Sequence, residues 1–152
     1  MVGHQTKELY SSKYSSDNTC GNLLGDMESR CLHKPPEYWL KINIDGSKDA
    51  EGNSGIGGIC RDHRGKVTMV FASSIGRTSS NMAGASVALA GVEWCSRNGC
   101  NNIILECDSH LKVDLINGKS KPPWQMQGII RQIQDIAGQL NYVIRHCYRE
   151  AN

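Results

Sequence analysis

The sequence predicts an α/β domain with a mixed five-stranded sheet, in which a three-strand antiparallel meander is joined by two parallel strands and flanked by helices. Two observations support this fold class. Period-two alternation of apolar and polar residues marks short strands early in the ordered chain, and period-3.6 spacing marks helices between the later strands. Strands reached through a helix are expected to run parallel to the first strand.

Each element has its own signal in the sequence. In the first strand, alternation separates Leu40, Ile42 and Ile44 from their polar neighbours. Residues such as Met126 and Ile130 form the apolar stripe of the clearest helix. Strands are expected near residues 39–45, 57–61, 66–72, 102–107 and 141–148, and helices are expected to start at Ser79 or Ser80, at Asp108 or Ser109, and after Pro122 and Pro123.

The chain of 152 residues suits one domain with an appendage. Residues 1–36 lack periodicity and are rich in Ser, Asn, Gly and charged residues, so we interpret them as a flexible leader or linker. Residues 37–152 are interpreted as the folded domain. The formal net charge of +2 neither requires nor excludes nucleic acid as a partner.

The seven cysteines favour an intracellular protein. Since none forms a CxxC pair, a zinc knuckle or ribbon is disfavoured, and reduced thiols in the nucleus or cytoplasm are expected. The stretch after Met1 lacks the apolar run of a signal peptide, and no segment is apolar enough for long enough to span a membrane. We therefore expect neither secretion nor a membrane partner.

Asp45 and Asp108 lie at corresponding ends of two predicted strands, INID and NIILEC. If these strands are parallel neighbours, both carboxylates lie at the C-terminal edge, where α/β sheets usually bind ligands. A divalent cation relieves the repulsion between adjacent acids, and oxygen ligands favour Mg²⁺ or Mn²⁺ over zinc. The alternative is two separate caps, with Asp45 in a turn and Asp108 at a helix start.

Seven stretches, spread over roughly residues 35–152 in the same order, resemble type 1 ribonuclease H. The resemblance is closer to the plant ribonuclease H-like domains that are related to the ends of non-LTR retrotransposon polyproteins. The stretches are PPEYWLKINIDGS, GNSGIGGICRD, SSN, ALAGVEWC, NIILECDSHLKV, KPPWQ and HCYREAN. Because they share their order as well as their residues, the resemblance does not depend on a single motif.

The resemblance implies an enzyme that cleaves the RNA strand of RNA–DNA hybrids, using four carboxylates and two divalent ions, Mg²⁺ or Mn²⁺. By that correspondence Asp45 matches the first acid and Asp108 the third. The second acid falls on Gly84, and the fourth is expected beyond Asn152, in a final helix that the predicted fold therefore lacks. With two of four ligands missing, we expect reduced metal affinity and lost or severely reduced cleavage.

Two further acids are weak candidates for the site, and a histidine is a catalytic candidate by the resemblance. Glu93 and Glu106 are nearby acids in the sequence, but Glu93 lies too far along its helix and Glu106 sits deeper in its strand. His146 matches, by its spacing to Asn152, a loop histidine of the family that assists product release or proton transfer. Its alternative role is that of a partly buried strand histidine.

The resemblance also implies a nucleic-acid interface. Gly46 and Ser47 match backbone contacts to the RNA strand, whose 2′-hydroxyls distinguish it from DNA. Asn53, Ser80 and Asn81 match polar groups that read the minor groove of the hybrid. The alternatives are a turn residue for Asn53 and helix capping for the other two. An RNA–DNA hybrid or another nucleic acid is therefore the expected partner.

Three functional hypotheses follow. The first is a nucleic-acid-binding ribonuclease H-like domain with impaired hybrid cleavage. The second is a degenerate, transposon-derived interaction domain without a nucleic-acid role, and the third is a nuclease whose site is completed in trans by another chain. Cleavage that rises with the square of concentration would indicate the third hypothesis, and absence of both metal and hybrid binding would indicate the second.

Overall fold

The structure is a computed structural model and describes residues 8–9 and 34–147. Its elements, in chain order, are β1 (Glu8–Leu9), β2 (Leu40–Lys48), β3 (Asn53–Arg61), β4 (Val67–Arg77), α1 (Ser80–Arg97), β5 (Asn102–Cys107), α2 (His110–Ile116), α3 (Trp124–Ala137) and β6 (Asn141–His146).

The described strands form one six-stranded sheet in the order β1-β4-β3-β2-β5-β6. β2, β3 and β4 make an antiparallel meander, β5 runs parallel to β2, and β6 runs parallel to β5. The predicted mixed five-stranded sheet is thereby confirmed. The sixth strand, β1, departs from the flexible leader expected over residues 1–36, since Glu8 pairs with Phe71 and Leu9 with Val70. An edge strand such as β4 offers backbone groups that an extended segment can pair with.

The core lies between the sheet and α1, which packs against β2 and β3. Ile42 and Ile44 belong to this core, whereas Lys41 and Asn43 alternate onto the other face of β2. Gly91 lets α1 approach the sheet closely, because a Cβ atom there would lie only 3.3 Å from Cγ2 of Ile42. The alternation read from the sequence therefore identifies the correct buried face of β2.

β2 and β3 are longer than the sequence pattern predicts. β2 continues to Lys48, which pairs with Ser54, and β3 begins at Asn53 rather than near Gly57. Glycine has a low preference for strands, so this glycine-rich stretch was predicted to be a loop that connects the two strands. Tertiary pairing overrides that preference, because β3 is hydrogen-bonded on one side to β2 and on the other to β4.

In α2 the apolar stripe that the sequence predicts, formed by Leu111, Leu115 and Ile116, is only partly right. Ser109 caps the helix, since its Oγ accepts a hydrogen bond from the backbone N–H of Lys112 at 3.4 Å. Leu115 is buried as expected, but Leu111 is 47% exposed, and Val113 is buried instead. A helix of seven residues makes too few turns for its periodicity to define a buried face.

α3 carries the apolar stripe that its sequence predicts, with Met126, Ile130, Ile133 and Ala137 buried. The final strand ends at His146, two residues earlier than expected. Residues 148–152, and with them the end of the predicted domain, lie outside the described part of the chain. None of the helices within the described ranges combines the length and apolar character needed to cross a membrane.

Among the five cysteines in the described residues, one departs from the sequence prediction. Cys60, Cys95, Cys100 and Cys107 are free thiols. Cys147 is disulfide-bonded, so the expectation of reduced thiols is wrong there. Spacing along the sequence excludes a CxxC motif, but it carries no information on which cysteines meet in the folded chain.

Candidate functional site

The parallel pairing of β2 with β5 brings Asp45 and Asp108 to neighbouring positions. The last pair of this ladder joins Ile44 to Cys107, and each aspartate is the next residue along its strand direction. Both side chains are half-buried. The pairing therefore brings together the two acids that the sequence singled out, at the edge where sheets of this kind bind ligands.

Neither aspartate has the capping role that was the alternative. β2 continues past Asp45 for three residues, so Asp45 lies within a strand and not, as predicted, at its end. Ser109, and not Asp108, caps α2. The prediction missed the extension of β2 because Gly46 interrupts the apolar alternation, while the pairing with β3 continues through it.

Glu106 belongs to a buried ion-pair network and not to the edge. Its Oε1 lies 2.7 Å from Nε of Arg145, which donates a hydrogen bond to it. Its Oε2 accepts a hydrogen bond from Asn43 at 3.0 Å and lies 3.5 Å from Nζ of Lys41. Lys41 is 1% exposed and Glu106 is 4% exposed. Burial lowers the pKa of Lys41, although the Glu106 carboxylate opposes that shift. Glu106 is therefore occupied as a counterion in the sheet.

Gly84 lies in the second turn of α1 and is buried. A Cβ atom built on it would overlap the end of the Lys112 side chain, at 2.6 Å from Cδ and closer still to Cε and Nζ. Glu93 is nine residues further along the helix, roughly 13 Å at 1.5 Å per residue. It forms an ion pair with Arg97 at 3.4 Å. The space next to the position of the second acid is thus occupied by the end of a lysine from α2, and Glu93 lies too far along α1 to take that position.

His146 lies beside Asp108, at the end of β6 and not in a loop. Its Nε2 is 3.1 Å from the backbone carbonyl oxygen of Asp108, which accepts the hydrogen bond when Nε2 carries the hydrogen. Its ring stacks on that of His110, with centroids 3.6 Å apart and an angle of 11° between the planes. The strand position that the sequence offered as an alternative is the observed one, and it brings the imidazole to the same edge as the aspartates.

The donor set does not fit the two-ion site that the resemblance implies. Within residues 8–9 and 34–147, no group of three or more His, Cys, Asp or Glu side chains is arranged to hold a metal ion. Two ions need more carboxylate than Asp45 and Asp108 supply. The position that would add a third carboxylate is Gly84, and Lys112 fills the adjoining space.

Gly46 and Ser47 form the last part of β2, beyond the parallel ladder. Ser47 pairs through its backbone with Gly55 of β3. Gly46 packs against the first turns of α1, where a Cβ atom would lie 3.6 Å from both Cβ of Ala83 and the backbone nitrogen of Gly84. The segment matched to RNA contacts is therefore backed by the N-terminal part of α1.

Asn53 opens β3 and shapes the turn that precedes it. Its side-chain amide donates a hydrogen bond to Oδ2 of Asp49 at 3.0 Å, and its backbone N–H donates to Oδ1 at 2.8 Å. The side-chain hydrogen bond from Asn53 is the main cause that lowers the pKa of Asp49. Asn53 is therefore a turn residue, which was the alternative to a nucleic-acid contact, and its hydrogen bonds to Asp49 fix its side chain at the end of the hairpin.

Ser80 and Asn81 open α1 without capping it. The cap is Ser79, whose Oγ accepts a hydrogen bond from the backbone N–H of Met82 at 3.2 Å. Ser80 is exposed and Asn81 half-buried. The hydroxyl of Ser54 donates to the carbonyl oxygen of Thr78 at 3.0 Å and so ties the start of β3 to the start of α1. The residues matched to the nucleic acid therefore converge on one edge of the domain.

Two basic residues of this edge were missed by the sequence reading. Arg77 is exposed at the end of β4 and pairs through its backbone with Asn53. Lys112, in α2, was not singled out by the sequence analysis. No pattern in the sequence places Lys112 beside Gly84, because the contact joins side chains of two different helices.

The sequence of residues 43–152 matches the family of reverse transcriptase-like domains. No curated protein sequence matches the chain. Among solved structures, the chain is similar to the ribonuclease H1 of the halophilic archaeon Halobacterium salinarum, with 19% identity and a TM-score of 0.67. That comparison covers 73% of this chain and 86% of the archaeal one.

Two bacterial or metagenomic structures are equally similar. The N-terminal ribonuclease H domain of a Mycobacterium tuberculosis protein has 24% identity and a TM-score of 0.68, over 75% of this chain and 85% of that one. A ribonuclease H1 called LC11, isolated from compost, has 24% identity and a TM-score of 0.67, over 73% of this chain and 86% of its own. LC11 was solved in complex with an RNA/DNA hybrid. These likenesses establish the fold.

Proposed function

Because the chain belongs to the reverse transcriptase-like family and has the fold of ribonuclease H, we propose that it is a nucleic-acid-binding domain that recognises RNA–DNA hybrids. The observation that carries the proposal is the convergence of the ends of β2 and β4 with the starts of β3 and α1 on one edge. That edge presents the backbone of Gly46 and Ser47 beside Asn53, Ser80 and Asn81. The hybrid bound by LC11 supports the choice of ligand.

The proposal includes a loss of hybrid cleavage. Asp45 and Asp108 are the acids within the described residues that match the family pattern, and Gly84 contributes no ligand. Divalent ions in this family would activate water and stabilise the leaving oxygen. The chain's own residues at this edge are suited to bind and orient a hybrid, and the reduced donor set predicts weak Mg²⁺ or Mn²⁺ affinity. We also propose that the domain belongs to the plant, retrotransposon-related branch of the family, on the stretches quoted above.

The test is binding of labelled RNA–DNA hybrid, double-stranded DNA and double-stranded RNA, measured by fluorescence anisotropy, with a cleavage assay in Mg²⁺ and Mn²⁺. We expect the hybrid to bind more tightly than either duplex, with no cleavage above background. Asn81→Ala should weaken hybrid binding about fivefold, the effect of one lost hydrogen bond. Ser96→Ala is the control, because Ser96 is an exposed residue near the other end of α1.

The outcomes separate the three hypotheses. Failure to bind any nucleic acid would refute the proposal and favour an interaction domain. Efficient cleavage at a rate proportional to protein concentration would contradict impaired catalysis. Cleavage that rises with the square of concentration would instead indicate a site completed by a second chain.

A second prediction concerns the electrostatic part of binding. Arg77 is exposed next to Asn53, so we expect it to contact a phosphate of the bound hybrid. Arg77→Gln should weaken binding to every sequence alike and reduce the slope of log K against log salt by about one. Arg131→Gln, at an exposed position of α3, is the charge-matched control. Equal salt slopes for the two variants would remove Arg77 from the interface.

A further inference from the structure

The helices of the described residues bury their apolar side chains on one face of the sheet. Ile42 and Ile44 of β2 belong to the core on that face, together with residues of α1, α2 and α3. The side chains that alternate with them along β2 point to the second face. Lys41 and Asn43 therefore lie on the side of the sheet that is turned away from the helices.

The second face is nevertheless buried at its centre. On this face Ile104 pairs with Lys41, because directly paired residues of neighbouring strands point to the same side. Ile59 pairs in the same way with Asn43. Lys41 and Ile59 are 1% exposed and Ile104 is 5% exposed, yet the core that the described residues form on the helix side includes neither isoleucine. A side chain on an open sheet face is accessible from above, so these residues lie under a second layer.

The chain between Leu9 and Lys34 leaves the sheet and returns to it near β4. Leu9 pairs with Val70, so the chain leaves at the edge that β1 forms. Lys34 lies next to the turn that joins β3 to β4, where its Cε is 3.2 Å from a Cβ atom built on Gly65. Residues 10–33 connect these two points.

Cys147 lies at the other edge of the sheet and is disulfide-bonded. Its backbone N–H donates a hydrogen bond to the carbonyl oxygen of Cys107 at 2.8 Å, so it continues β6, the strand farthest from β1. The other four cysteines of the described residues are free thiols. The chain has seven cysteines, which leaves Cys20 and Cys31, both within residues 10–33, as those with which Cys147 can pair.

A segment that starts beside β1, is bonded to the end of β6 and returns to the turn between β3 and β4 has to cross the breadth of the sheet. Five strand spacings of about 4.8 Å make that breadth roughly 24 Å. The chain from Leu9 to Cys20 can span about 36 Å when extended, so its length suffices. Because helices occupy one face, the path runs over the face of Lys41 and Ile104.

We propose that residues 10–33 form the second layer of the domain, lying over the face that carries Lys41 and Glu106 and tethered by a disulfide between Cys147 and either Cys20 or Cys31. The two thiols lose their protons and two electrons to an oxidant such as oxidised glutathione, which leaves as two molecules of the reduced thiol. The proposal replaces the flexible leader or linker expected from the sequence, and it does not depend on the proposed function.

Peptide mapping without reduction tests the tether. The free thiols of protein folded with oxidised glutathione are blocked by alkylation, and trypsin then cuts after Arg30, which separates Cys20 from Cys31. It also releases Cys147 on residues 146–149. We expect that peptide to be joined to one of the two leader peptides and to be released by reduction. An alkylated Cys147, or a Cys147 bonded to glutathione or to a second chain, would overturn the proposal.

Acylation of lysine side chains, followed by mass spectrometry, tests the layer. In the disulfide-bonded chain Lys41 should react at least about tenfold more slowly than the exposed Lys119. Cys147→Ser removes the tether, so the layer should open more often and the Lys41 rate should rise about threefold or more, with Lys119 unchanged. Cys100→Ser is the matched control, because Cys100 is a half-buried free thiol outside the proposed tether, and it should leave both rates unchanged.

Circular dichroism checks that both serine variants are folded. If Cys147→Ser is not, the oxidised and reduced forms of the unaltered chain are compared in its place. Equal Lys41 rates with and without the tether would overturn the proposal, since the face would then be buried by something other than the tethered segment. Neither experiment contains nucleic acid, so its outcome is separate from that of the hybrid-binding assay.

Discussion

Glu106→Gln is expected to lower the free energy of unfolding by about 3–5 kcal/mol, because it deprives a buried lysine of its carboxylate partner. The Nζ of Lys41 lies 3.5 Å from the Glu106 carboxylate, and both side chains are almost fully buried. For a chain of this size the loss corresponds to a fall in Tm of roughly 6–20 °C. Chemical and thermal unfolding followed by circular dichroism measure it.

Two further variants show whether the buried charge is the cause. Adding Lys41→Met to Glu106→Gln should recover part of the lost stability, because the uncompensated charge is gone. Glu93→Gln breaks the exposed pair with Arg97 and should cost less than about 0.5 kcal/mol. If Glu93→Gln and Glu106→Gln cost the same, the network does not stabilise the sheet in the way described.

Gly58→Ala is expected to destabilise the domain by about 1–3 kcal/mol through overpacking. Gly58 pairs with Phe71 across β3 and β4, and a Cβ atom on it would lie 3.2 Å from Cε2 of the Phe71 ring and closer to two other ring atoms. The ring is buried and cannot move into solvent without leaving the core. Unfolding in denaturant, followed by circular dichroism, measures the loss.

The same substitution elsewhere should have the opposite sign. Gly128 lies inside α3, where no atom within 4 Å would meet an added Cβ, so Gly128→Ala should stabilise the helix by up to about 1 kcal/mol. Combining Gly58→Ala with Phe71→Leu should cost less than the sum of the two single changes, since they share one contact. Strict additivity would show that the ring is not what Gly58 accommodates.

Much of the fold could be predicted because it depends on patterns that are local in the sequence. Alternation identifies the buried face of β2, and the stripe of α3 identifies its buried residues. The start of β3 could not be predicted, because the three glycines in NSGIGG carry no strand signal and their conformation is fixed by two neighbouring strands. β1 is a pairing of two residues with β4, too short to leave a periodic trace.

The same distinction, between local sequence patterns and contacts between distant elements, applies to the candidate site. The proximity of Asp45 and Asp108 could be predicted from the sequence, since the two predicted strands are parallel neighbours and each aspartate follows the last pair of their ladder. The stacking of His146 on His110 and the contact of Lys112 with Gly84 could not, because each joins side chains from separate elements. The ion-pair network of Glu106 could not be predicted either, because its three partners come from two other strands.

The overlap between a side chain at position 84 and Lys112 has an evolutionary consequence. Glutamate at position 84 and the observed lysine position are sterically incompatible, so the two sites are not free to vary independently. A glutamate introduced at position 84 would have to displace the flexible end of Lys112 and would meet its positive charge. A smaller residue at position 112 would open that space. The effect of a substitution at position 84 therefore depends on the residue at position 112, although the two residues belong to different helices.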